Sequence, residues 1–267
     1  MGTGQRLRGK NALVFGAAGS IGSVVAKEMA AEGAHVYISG RSRPRLDAVA
    51  ECIAADGGDA RVAVVDAEDA GAVDAYVDGV AKEAGTIDVV FNAMGPRVAA
   101  YGNGKPAMQL TVDEFMLPLA TLIKSQFITS RAAARHMVVQ RSGAIILVTG
   151  SPARPHGPGT TAIGTAFGAI ENFTRSLAQE VSPQGVRVVC VRTAAMPETR
   201  TIRETGELLS AAMHVSEEQV LGRLANMTLL KVSPSIADTA RAAVFAASDD
   251  ARMMTGTVLN VSAGAVD

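Results

Sequence analysis

The sequence has 267 residues, 48% of them hydrophobic, enough for one large core, and its length fits a single α/β domain over 1–267 better than two. A formal net charge of -1 leaves no cationic excess for a phosphate backbone, so the expected partner is a small molecule and not nucleic acid. The cysteines, Cys52 and Cys190, match no metal or redox spacing, no apolar run reaches membrane-spanning length and the first ten residues hold no apolar signal core, so the expectation is a cytoplasmic chain without metal, disulfide or membrane contact.

In chain order, a Val/Ile/Leu-rich run at 11–16 leads into a helical stretch at 20–32, a run at 35–40 into a helix at 43–56, and a run at 61–66 into a helix at 69–84. A run at 88–94 precedes a helix at 111–139, where Thr111 and Glu114 form a capping-box pattern and Pro118 should introduce a kink. A run at 144–150 precedes a helix at 161–182, and further runs follow at 186–193 and 256–263. Residues 194–233 carry no strand signal and read as a mobile flap over the site. Apolar runs alternating with amphipathic helices predict an α/β fold in which a seven-stranded parallel sheet is flanked by helices.

The first strand runs into Gly16-Ala17-Ala18-Gly19-Ser20-Ile21-Gly22 and then a helix. In that context Gly16 permits a tight turn, Gly19 and its neighbours Ser20 and Ile21 let backbone approach a pyrophosphate, and Gly22 allows close helix packing, while the helix N-terminus favours an anion. The pattern is that of a Rossmann-type doubly wound sheet. Asp66 closes the third run, Asn92-Ala93-Met94-Gly95 closes the fourth, and the chain ends in AASDDARMMTGTVLNVSAG. With these motifs spread through nearly the whole chain, the sequence resembles the short-chain dehydrogenase/reductase family. The resemblance implies a nicotinamide dinucleotide held by Gly16, Gly19, Ser20, Ile21, Gly22, Asp66, Asn92, Ala93 and Thr149, and assembly as a dimer or tetramer.

An acidic residue at the end of the second strand would bind the ribose hydroxyls of NAD. Gly40 stands there, followed by Arg41, Ser42 and Arg43, so NADP is expected, with Arg41 on its 2′-phosphate and NAD a possibility. Arg43 also reads as a solvated charge opening a helix.

The same resemblance implies an Asn, a Ser and a Tyr-x-x-x-Lys pair to move the proton. Counted from the flanking motifs, those positions fall on Leu122, Gly150, Ile163 and Phe167, which would make this a divergent member lacking the usual catalytic side chains. Ile163 and Phe167 share one helix face and place an apolar patch where the acid would stand. Substitute donors would come from Ser151, Arg154, His156, Tyr101 or Lys124, each with an ordinary reading as a loop, packing or solvated residue; Ser151 is the leading candidate. Three functions remain open: an atypical NADP-dependent oxidoreductase on an apolar carbonyl or alcohol, a non-catalytic dinucleotide-binding subunit or sensor that could pair with an active homologue, and a non-redox isomerase, dehydratase or cyclase.

Overall fold

The computed structural model describes residues 5–154 and 157–265. Among these residues one seven-stranded sheet runs through the molecule in the order β3-β2-β1-β4-β5-β6-β7, every neighbouring pair parallel. The strands are β1 (Asn11–Phe15), β2 (His35–Gly40), β3 (Asp59–Val64), β4 (Val89–Asn92), β5 (Gly143–Gly150), β6 (Val186–Thr193) and β7 (Thr257–Asn260). Helices α1 (Ser20–Ala31), α2 (Arg43–Ala55) and α3 (Ala70–Ala84) connect the first half. Helices α4 (Val112–Pro118), α5 (Lys124–Gln140), α6 (Thr161–Val181), α7 (Arg200–Met213), α8 (Glu217–Asn226) and α9 (Ile236–Ala247) follow. The expected class, element order and strand count all stand.

Parallel strands buried on both faces must be apolar throughout, and β1 is buried at all five positions while β5 is buried at seven of eight. Two apolar clusters result. One, holding Leu13, Phe15, Val77, Leu147 and Cys190, lies under α3, α5 and α6. The other, holding Val14, Val36, Ile146 and Val189, lies under α1, α2 and α9.

Two expected boundaries move. β3 begins at Asp59, pairing His35 and Val36 through Asp59 and Ala60, and ends at Val64, so Asp66 lies beyond the strand in the turn that opens α3. The helix expected over 111–139 is interrupted. Thr111 and Glu114 form the capping box on α4, and after Pro118 the backbone widens to a π turn over Leu119–Ile123 before α5 begins. Proline has no N–H to close the α ladder and its ring crowds the preceding turn, which accounts for the switch at that point. Residues 194–233 contain no strand; they fold into α7 and α8, opened by the side-chain caps Thr199 and Ser216.

Candidate cofactor and active site

Strand order reverses between β1 and β4, and in a doubly wound sheet the carboxyl ends of the two strands at such a point open a crevice. The glycine-rich turn occupies it. Gly16 has φ of +73°, and a β-carbon there would stand 3.1 Å from the carbonyl carbon of Ala93, so both conformation and space demand glycine. The turn is fixed by Ala17 N–H donating to Ser39 O (3.0 Å) and Gly19 N–H to Gly16 O (2.9 Å). A β-carbon on Gly22 would stand 2.9 Å from Ala17 Cα, which is why α1 can begin directly against the turn.

Helix α1 is capped by Gly19, which offers no side-chain acceptor, whereas Asp69, Thr111, Thr199, Ser216 and Ser235 cap α3, α4, α7, α8 and α9. The first N–H groups of α1, at Ser20, Ile21 and Gly22, therefore have no capping side chain and face the crevice with the positive end of the helix dipole. A glycine cradle that any β-carbon would fill, backed by uncapped N–H donors, fits the diphosphate of a dinucleotide.

At the end of β4, Asn92 is fully buried. Its Oδ1 accepts from Met94 N–H (2.9 Å), bending the chain back over Gly16, and its Nδ2 donates to Thr129 Oγ1 (3.0 Å), while Gln126 Nε2 donates to Asn92 O (3.3 Å). Asn92 thus shapes the turn carrying Ala93 through a buried polar network on α5. Gln126 and Thr129 were missed in the sequence because buried polar positions inside a helix carry no pattern of their own.

At the end of β2, Arg41 is exposed and makes no ion pair among the described residues, whereas Arg43 Nε bonds Asp47 Oδ1 at 2.7 Å. The Asp66 carboxylate accepts from Glu68 N–H (3.0 Å). Thr149 is buried beneath the site, with Oγ1 bonded to Glu171 Oε1 (3.4 Å) and within 3.3 Å of Cys190 Sγ; burial pushes that thiol up to about 12.

Beyond β5 the packing is apolar. Ile163 is 8% exposed, and Phe167, one turn on along α6, lies against Gly150: a β-carbon on Gly150 would stand 3.0 Å from Phe167 Cε2. Gly164 makes this approach possible, since a β-carbon there would stand 2.6 Å from Pro152 O. Leu122 is buried in the π turn, and a β-carbon on Gly95 would meet its Cδ2 at 4.0 Å.

Of the substitute donors, Ser151 is buried in a short 3-10 turn (Ser151–Ala153) at the end of β5, beside the same apolar packing. Tyr101 is buried, and burial, reinforced by Glu204, pushes its phenol up to about 12. Lys124 and Arg154 are exposed, and His156 lies outside the described residues. One turn on from Phe167 along α6 stands a buried ion pair that no sequence pattern announced: Arg192 Nε and Nη2 donate to Glu171 Oε1 (2.6 Å) and Oε2 (2.9 Å).

Residues 16–266 match the family model described as enoyl-(acyl carrier protein) reductase, and the chain belongs to the short-chain dehydrogenase/reductase family of oxidoreductases. Momilactone A synthase of Oryza sativa subsp. japonica is 31% identical over 97% of this chain and 91% of its own. The 3-oxoacyl-[acyl-carrier-protein] reductase of Haemophilus influenzae is 28% identical over 97% and 98%. Among solved structures, an NAD+-bound xylitol dehydrogenase superposes with a TM-score of 0.89 at 26% identity, covering 97% of this chain and 99% of that one. An actinorhodin polyketide ketoreductase with NADPH shares the fold at a TM-score of 0.87 and 20% identity, covering 96% and 97%.

Proposed function

We propose that this chain is an NADP(H)-linked oxidoreductase whose active-site wall is apolar where the family has its proton-transfer pair, and whose substrate presents an apolar carbonyl or alcohol. The observation that carries the reading is the crevice at the β1/β4 switch point, where a glycine turn and an uncapped helix stand one strand away from Arg41. Gly16, Gly19, Ser20, Ile21 and Gly22 would hold the diphosphate, Arg41 the 2′-phosphate, Asp66 the adenine side, and Asn92 with Ala93 the middle of the cofactor. When bound, the nicotinamide supplies or accepts a hydride. Thr149 contributes beneath the site by tying β5 to Glu171.

The protein's own part at the reacting centre is to exclude water and orient the substrate. Ile163 and Phe167 carry no titratable proton. Ser151 is the side chain assigned to hold a substrate oxygen, with the proton drawn from solvent. Loss of a general acid costs about 10² to 10⁴ in rate, so slow reduction of an activated carbonyl survives it. Phe167 packed on Gly150 also favours a second reading, a dinucleotide-binding subunit without turnover that assembles with itself or with an active homologue. Under either reading the chain is one domain, with residues 194–233 as its flap.

Calorimetry with NADP+ and NAD+, followed by NADPH consumption with a reactive diketone, tests both. Tighter NADP+ binding that falls at least tenfold in Arg41→Ala supports the assignment; equal affinities refute the role of Arg41. Diketone reduction above background selects the enzyme over the subunit.

A further inference from the structure

The reading above leaves the substrate class open, and a cleft beside the glycine-rich turn narrows it. Between the segment after β4 and helix α7 lies a cleft of about 670 Å³ lined by Arg97, Arg200, Arg203, Glu204, Leu208 and Ala211 among others. That volume is within the roughly 300–1,000 Å³ usual for small-molecule sites. The α7 residues recur at positions 200, 203, 204, 207, 208 and 211, one continuous helix face, and their character changes along it. The face begins with two arginines and ends with Leu208 and Ala211, so its polarity is that of an amphiphile.

The charges on the lining do not cancel. Glu204 Oε1 stands 3.1 Å from Arg97 Nη2 and 3.6 Å from Arg200 Nε, and Oε2 accepts from Val98 N–H (3.4 Å), so one carboxylate serves two guanidiniums and ties α7 to the loop after β4. Arg203 has no ion-pair partner among the described residues. Glu207, on the same face, is the one opposing charge left unpaired in the lining.

Resting on the oxidoreductase reading, we propose that this cleft binds an amphiphilic anionic substrate, its carboxylate or phosphate seated among Arg97, Arg200 and Arg203 and its apolar chain running along Leu208 and Ala211. The cofactor diphosphate is the competing source of an anion, because Arg200 N–H reaches Ser20 Oγ at 3.4 Å. The length of the cleft argues against it. Ala211 lies roughly 16 Å along the axis from Arg200 at about 1.5 Å per residue, beyond what a diphosphate on the α1 N-terminus would occupy.

The experiment measures binding of octyl phosphate, octanoate and octanol by calorimetry, with and without saturating NADP+, on wild type, Arg203→Gln and Glu207→Gln, with folding checked by thermal melt. Charge-assisted hydrogen bonds are among the strong ones, so Arg203→Gln should weaken both anions about tenfold or more, Glu207→Gln should tighten them, and octanol should bind at least tenfold more weakly than octyl phosphate. Equal affinities for octanol and octyl phosphate, or unchanged anion binding in Arg203→Gln, overturn the proposal. So does displacement of octyl phosphate by NADP+, which would place the anion on the glycine-rich turn. NADP+ binding to the same samples is read separately: if NADP+ fails to bind while Arg203-dependent anion binding persists, the cofactor reading falls and the anion site stands.

Discussion

The contact between Gly150 at the end of β5 and Phe167 of α6 makes one packing unit, and its strength can be measured. Gly150→Ser places a β-carbon 3.0 Å from Phe167 Cε2 and 3.4 Å from Pro152 Cδ, several tenths of an ångström inside ordinary carbon contact, on a strand that cannot yield without moving β6. Overpacking a dense interior costs roughly 1–3 kcal/mol, and an overlap of this size belongs in the lower half of that span, about 1–2 kcal/mol. Phe167→Ala removes a half-buried ring and costs about 2–3 kcal/mol, less than the roughly 3–5 kcal/mol of a fully buried aromatic. In the double variant the new β-carbon enters the space the ring has left, so its loss should fall short of the sum by about 1–2 kcal/mol, within the roughly 0.5–3 kcal/mol usual for residues in contact. Urea denaturation of the four proteins in the cycle reads this coupling directly. Additivity within about 0.5 kcal/mol would show that the ring and the strand end do not compete for space. The same cycle bears on chemistry. Ile163→Tyr with Phe167→Lys should raise NADPH-dependent diketone reduction above wild type, and Gly150→Ser should cost less stability in that background than in wild type.

Gly16→Val should leave the circular dichroism spectrum of a folded protein yet weaken NADP+ binding by about 100-fold or more in calorimetry, because a side chain at φ +73° would stand 3.1 Å from Ala93 in the cofactor turn. Glu171→Ala removes the bidentate carboxylate from a buried guanidinium and should cost about 3–5 kcal/mol, a fall in melting temperature of roughly 6–20 °C; a fall under about 2 °C would mean Arg192 is satisfied without it. The chain has three tyrosines and no tryptophan, so its phenols can be titrated by absorbance without interference. Burial raises Tyr37 and Tyr76 from the usual 10.0 and lifts Tyr101 to about 12. Each phenol holds its proton more tightly folded than unfolded, so this contribution to stability is complete below about pH 10 and is lost as the pH rises towards 12. Native protein should show less tyrosinate at pH 10.5 than unfolded protein and develop more on unfolding; normal ionisation of all three in the native state would contradict their burial.

Sequence reasoning reached the frame more easily than the chemistry, for reasons that differ residue by residue. Strands buried on both faces announce themselves as continuous apolar runs, and Gly16, Gly19 and Gly22 declare a turn because their spacing follows a strand and opens a helix. Pro118 marked the point where α4 ends because a missing N–H is a local event. The Glu171–Arg192 pair was illegible because its partners are 21 residues apart on different elements, and an isolated charge in an apolar segment has no sequence signature until the fold brings its counterion to it. The same holds for Glu204, whose links to Arg97 and Val98 cross more than 100 residues.

The apolar wall and the arginine cleft belong to one argument about where this chain spends its binding groups. Around Gly150, Ile163 and Phe167 the structure packs hydrocarbon against hydrocarbon, so whatever selects a substrate there is shape and the exclusion of water, which discriminates weakly between similar apolar groups. On the proposed function, directional recognition would then come from polar groups elsewhere, and Arg97, Arg200 and Arg203 line a cleft between the loop after β4 and α7. The segment after β4 reaches towards both regions: Gly95 faces Leu122, and two residues on Arg97 pairs with Glu204 of α7. Glu204 therefore ties α7 to the loop that carries Gly95 and Arg97. Helix α7 thus borders the loop after β4 through Glu204 and the glycine-rich turn through Arg200, whose N–H meets Ser20 Oγ at 3.4 Å.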